Sequence, residues 1–285
     1  APSPSAAAPS PSAPAPSTEP ADHLPRGAAA ALIAILVVAA ALRLVSVASF
    51  TINPDEPNSF APTSVEDVLA GDDNSLLHPP LYRLAAGAWL GLWSGETAAP
   101  RWWWRLPSVV LGVLAVWLAF VLGRRLAGTH AGLVAAALLA ALPSAVFVSD
   151  LAKPYAAASA LVLTVLVAAG WAADRPERSR RWLIVAALAA ATAWTDYPAF
   201  AALLFVPPWL VWQTGAAKRR ALFRPLAATA ALVALSALPL LPLAAAGVMF
   251  SLARSGAGGA TAGATELAVA GYPSAPALTA SIGLG

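Results

Sequence analysis

Apolar runs long enough to cross a bilayer recur along this chain, and no other feature limits its fold as strongly. About 20 apolar residues in a helix cover roughly 30 Å of hydrocarbon. On that measure the sequence predicts helices at 27–48, 105–124, 131–149, 154–172, 182–195, 198–213 and 225–247. The pair 182–195 and 198–213 is short, and Pro198, Pro207 and Pro208 soften its boundaries. Residues 78–94 (HPPLYRLAAGAWLGLWS) form a further apolar helix, expected to lie half-submerged at the interface. Only 11% of the 285 residues are charged and 59% are hydrophobic, against about 25% charged in a soluble domain. A water-soluble core of this size would lack polar surface. The expectation is an all-α polytopic membrane protein with about seven spans and a long first outer loop carrying juxtamembrane helices.

Three segments follow from composition. Residues 1–25 are built from Ala, Pro and Ser and bury too little apolar surface to offset ordering entropy, so a disordered cytoplasmic tail is expected. The tail has no basic stretch before an apolar one and does not read as a cleaved signal peptide. Residues 26–248 hold the membrane module, and 249–285 form an outer Gly/Ala-rich segment.

Other classes are excluded on the same grounds. The net charge is +3, but the basic residues sit in short clusters between apolar runs, which fits membrane topology and not nucleic acid. Zero cysteines exclude disulfides, thiolate metal sites and a cysteine nucleophile. No Walker loop and no GxGxxG supports nucleotide binding.

With a cytoplasmic N-terminus, the inside segments carry Arg26, Arg124, Arg125, Arg175, Arg178, Arg180, Arg181, Lys218, Arg219, Arg220 and Arg224, 11 of the 17 basic residues. That is the positive-inside pattern. Arg43, Arg83, Arg101, Arg105, Lys153 and Arg254 fall outside, together with ten of the fourteen acids.

The acids concentrate chemistry on the outer face. Loop 49–104 opens with Asn53-Pro54-Asp55-Glu56-Pro57. Adjacent carboxylates directly after a span are partly desolvated, which raises their pKa and suits one to general-base work; an acidic turn held by two prolines is the plainer alternative. His78-Pro79-Pro80-Leu81-Tyr82 reads either as part of a site or as the start of the surface helix. Arg101-Trp102-Trp103-Trp104-Arg105 reads as an aromatic belt with snorkelling cations, or as placing Arg105 inward on a lipid phosphate. In Ser149-Asp150-Leu151-Ala152-Lys153-Pro154-Tyr155 the two charges are spaced to pair with each other on a helical turn, yet charges at a hydrophobic hairpin tip also call for a functional role. Asp196 repeats the theme at a further tip.

In this order the motifs NPDE, HPPLY, RLPS and SDLAKPY resemble the GT-C fold membrane glycosyltransferases, in particular the dolichyl-phosphate-mannose–protein mannosyltransferase and aminoarabinose transferase superfamily with its bacterial members. The resemblance covers about residues 27–247. It implies a GT-C-like module that moves a sugar from a polyprenyl-phosphate carrier to an acceptor on the outer face, the acceptor itself unspecified. It further implies catalytic roles for Asp55, Glu56 and Asp150, with Asp55 as general base. His78, Tyr82, Arg83, Arg105, Lys153 and Tyr155 are the implied substrate-binding residues, with cations stabilising the leaving phosphate. Asp150 and Lys153 stand where the family commonly has glutamate and arginine; lysine lacks the arginine fork. Some relatives use a divalent metal, for which His78, Asp55 and Asp150 offer ligands without a defining spacing, so the cofactor stays open.

The chain is shorter than family members commonly are, which implies a fragment or a reduced relative with a partner subunit. The alternative function is a non-catalytic GT-C-like subunit that binds a polyprenyl-phosphate lipid or a partner protein. A transporter ranks last, because its ionisable groups would sit near the midplane of repeated helices. High Ala and Arg content points to a GC-rich bacterium and hence to its inner (plasma) membrane.

Overall fold

The computed structural model describes residues 24–49, 56, 79–95, 99–242, 244–245 and 248. Asp55, His78, nearly all of the expected tail and the whole of 249–285 lie outside the described residues. The described residues are helical with no strand among them, which satisfies backbone polar groups within each segment where water is absent.

Helix α1, Arg26–Ser49, is 24 residues long and so about 36 Å at 1.5 Å per residue. Leu32, Ala39, Arg43 and Val47 are buried on one face, while Ile33, Val37, Leu44 and Val45 are exposed. An exposed apolar stripe of that length is stable against lipid, not water. A short helix α2, Pro80–Leu90, starts on the proline that the HPPLY motif predicts for a first turn.

Helix α3, Arg101–Ala141, is broken at Ala127 and Gly128, where Gly128 takes φ +86°. Only glycine adopts that conformation without a Cβ clash. The chain doubles back there. A Cβ on Gly132 would meet the Phe120 carbonyl oxygen at 2.6 Å, and one on Gly123 would meet the Gly132 Cα at 2.9 Å. Farther from the turn, Gly112 lies against Ser149. Small residues let the two arms touch backbone to backbone, as membrane helices do when no hydrophobic gradient drives them together.

Pro143 then interrupts the run expected at 131–149, because it lacks the N–H that would continue the helix. A separate helix α4 covers Pro143–Asp150. After an extended turn come α5, Tyr155–Asp174, and α6, Ser179–Ala193. The expected span 198–213 is instead three pieces: α7 at Tyr197–Ala202, a 3-10 turn at Leu203–Phe205, and α8 at Val206–Gln213, which opens on the Pro207-Pro208 pair. Helix α9, Ala216–Ala237, starts earlier than expected, so Lys218, Arg219, Arg220 and Arg224 lie in a helix and not in a loop.

Among the described residues four helices are long and apolar enough to cross a membrane: α1, α3, α5 and α9. α1 packs on α3 and α4, α3 on α5, α5 on α6, and α6 on α9. One core gathers Leu32, Ala39, Val116, Phe120, Ala136 and Ala140 between α1 and the arms of α3. A second joins α5, α6, α8 and α9 through Val165, Ala169, Trp182, Val185, Leu210 and Leu222.

Candidate active site

Buried charge collects at one end of the bundle. Glu56, Arg83, Arg105, Asp150, Lys153 and Asp196 are all buried, with Arg43 buried in α1 nearby. Charges are left out of water only when partners compensate them, and several partners are visible.

Glu56 is 2% exposed. Its Oε1 accepts from Arg105 Nε at 3.0 Å, and its Oε2 from Arg105 Nη2 at 2.7 Å. This is the bidentate fork that arginine makes with a carboxylate. Oε1 also accepts from the backbone N–H of Ala152 at 2.8 Å. One side chain from the first loop therefore fastens the start of α3 to the turn after α4. Arg105 Nη1 reaches the Val47 carbonyl at 3.5 Å, adding the end of α1.

Asp150, also 2% exposed, closes α4. Its Oδ2 accepts from the Ser46 hydroxyl of α1. Its Oδ1 is buried without a hydrogen bond. Burial pushes the Asp150 carboxyl above the ordinary carboxylate range, while Ser46, Arg43 and Arg105 pull it back. The spacing expected for a helical Asp150–Lys153 pair is not realised as a helical turn, because Leu151 is extended (φ −90°, ψ 136°). Lys153 is buried in that turn.

Helix α2 lies over the same turn. Tyr82, Ala86 and Leu90 pack with Ala152 and Trp104, and the Leu81 N–H donates to the Trp194 carbonyl at 2.8 Å. Burial, followed by smaller effects of Ser108 and Glu56, leaves the Tyr82 phenol above its ordinary value. Pro107 cannot donate to the Trp103 carbonyl four residues back, and the Trp89 indole fills that vacancy at 2.8 Å. The Trp89 and Trp103 rings also stack, with centroids 4.2 Å apart. Trp102 is exposed beside them while Arg105 is buried. Thus the Trp–Arg run has an outward aromatic member and an inward cation.

Asp196 caps α7, accepting from the Ala199 N–H at 2.9 Å. With Tyr155, Arg43, Ser144, Ser149 and Ser159 it supplies the polar lining of a cavity of about 540 Å³ whose other walls are mainly Ala, Leu and Val. Glu56, Arg105, Asp150, Lys153, Tyr82 and Arg83 thus share one end of the bundle, and Tyr155 opens onto the cavity. Asp55 and His78 are outside the described residues. Of the three side chains that the resemblance offers to a divalent metal, Asp150 alone is described. Among the described residues no group of three or more His, Cys, Asp or Glu gathers for one.

The sequence reading gives no role to Arg43, Ser46 or Ser149. The signal for the first was present: an arginine inside an apolar run is expensive and reads as functional. The serines carried no such mark.

Neither the curated proteins nor the solved structures include a match to the chain. The family model described as dolichyl-phosphate-mannose-protein mannosyltransferase matches residues 78–242, more than half of the 285 residues. The match runs from the HPPLY motif through the turn at Asp150 to the end of the second core, which agrees with the helical architecture and the four apolar helices. The chain belongs to the dolichyl-phosphate-mannose-protein mannosyltransferase family, and with it to the membrane glycosyltransferases.

Proposed function

We propose that the protein moves a sugar from a polyprenyl-phosphate donor to an acceptor on the outer face of a bacterial inner membrane, with Asp55 as general base and a cytoplasmic N-terminus. The observation that carries this reading is the clamp on Glu56. Glu56, which follows Asp55 in the NPDE motif, is fastened to Arg105 and to the Ala152 backbone at the end that holds Asp150 and Lys153. A fixed frame of buried charge at that end is what the positioning of reacting groups demands.

In this reading Asp55 takes the proton of an acceptor hydroxyl while that oxygen attacks the anomeric carbon. The bond from the anomeric carbon to the phosphate oxygen breaks, and its electron pair leaves on the polyprenyl phosphate. The buried positive charge of Arg83 and Lys153 lowers the energy of that anion. The cavity beside Tyr155, apolar with a few polar groups, suits a prenyl chain approaching from the bilayer.

The test is sugar release by the protein in nanodiscs from a panel of polyprenyl-phosphate sugars, with source-cell membranes as acceptor. Turnover names the donor and supports the enzyme. Tight lipid binding without turnover of any donor supports the non-catalytic subunit instead.

A further inference from the structure

Arg43 is 1% exposed within α1, in the middle of an apolar stripe. Its surroundings show what holds it. The second arm of α3 ends at Ala141, and Pro143 has no N–H for the Leu139 carbonyl. Arg43 reaches into this break: Nη2 lies 3.5 Å from the Leu139 oxygen and Nη1 3.4 Å from that of Ala140. The same Nη1 donates to Ala39 on its own helix at 3.0 Å. Across the break, Nε donates to the Ser149 hydroxyl at 3.1 Å. A guanidinium at a helix C-terminus also meets the negative end of the dipole. Gly112 makes the space, since a Cβ there would fall 2.8 Å from Arg43 Nε. One turn along α1 from Arg43, Ser46 binds Asp150.

We infer that Arg43 is a positioning residue for Asp150: it bridges the Pro143 break and, through Ser149, fixes the end of α4 against α1 beside the Ser46–Asp150 bond. Its importance for sugar transfer rests on the function proposed above; its hold on Asp150 does not. Among the described residues, the groups acting on Asp150 include Arg43 and Ser46 from α1 and Arg105 from α3. Lys153 follows in its own turn, and Glu56 binds that turn through Ala152.

The test follows protonation of the Asp150 carboxyl by infrared difference spectroscopy in nanodiscs, with Asp150→Asn identifying its band. Arg43→Met is expected to raise the midpoint by about one pH unit, a tenfold change in proton affinity. Arg43→Lys, which keeps the charge and loses the fork, raises it less. Where Arg43→Met does not fold by circular dichroism, Ser149→Ala removes the Nε partner, together with the Ser149 hydroxyl's bond to the Ala145 carbonyl, and is expected to raise the midpoint by a smaller step. A midpoint that stays fixed in every folded variant overturns the inference. With an active donor in hand, Arg43→Met lowers kcat at least tenfold and adds no further loss in an Asp150→Asn background. Additive losses contradict action through Asp150. If wild type turns over no donor, the transferase reading fails, and the titration still decides the role of Arg43.

Discussion

Arg105 grips both carboxylate oxygens of Glu56, and the two side chains are 2% and 3% exposed. A buried ion pair is weak support for net stability, because desolvation offsets much of the attraction, but removing one partner strands the other. Glu56→Gln is therefore expected to destabilise the protein by roughly 3–5 kcal/mol, read as a lower unfolding midpoint in detergent. Arg105→Lys loses the fork and should follow in the same direction.

The ion pair at the opposite end behaves differently. Arg125 binds Asp174 with Nη2 2.6 Å from Oδ1, but the side chains are 33% and 51% exposed. Water screens such a pair, so Asp174→Asn is expected to change stability by less than about 1 kcal/mol. The same unfolding measurement separates the two cases.

The hairpin in α3 depends on absent side chains. Gly132→Ala drives a Cβ to 2.6 Å from a backbone oxygen that has little room to yield. It is expected to cost about 1–3 kcal/mol through overpacking. Gly87→Ala meets nothing within 4 Å and lies inside α2, so it should stabilise that helix by up to about 1 kcal/mol.

Asp150 makes stability depend on pH. Burial holds its folded carboxyl above the ordinary value of 3.8. A group raised in the folded state binds its proton more tightly there than when unfolded. Its contribution is therefore complete below the unfolded value and declines as pH rises through the folded one. Unfolding midpoints measured upward from about pH 4 should fall in wild type, and Asp150→Asn should flatten that slope.

Much of this architecture is legible in the sequence, for reasons that also mark where reading stops. Runs 27–48 and 154–172 predict α1 and α5 to within two residues, since length and hydropathy alone define them. The boundary between 105–124 and 131–149 brackets the turn at Ala127-Gly128. The break at Pro143 is hidden by continuous hydropathy on both sides, although the proline itself marks it. The start of α9 is missed because Lys218, Arg219 and Arg220 lower the hydropathy of residues that form helix readily. At the site, NPDE and SDLAKPY are visible as motifs. That Glu56 joins Arg105 and Ala152 is not, because nothing in local spacing pairs residues 49 and 96 positions apart.

The central claim is that Asp55 is the base of a sugar transfer. The most direct measurement compares turnover of the active polyprenyl-phosphate sugar by wild type and Asp55→Asn in nanodiscs, at equal folded protein. The account predicts a loss of about 10²–10⁴-fold in kcat, the contribution of a general base, with donor binding retained. An Asp55→Asn protein that transfers sugar at the wild-type rate would contradict it.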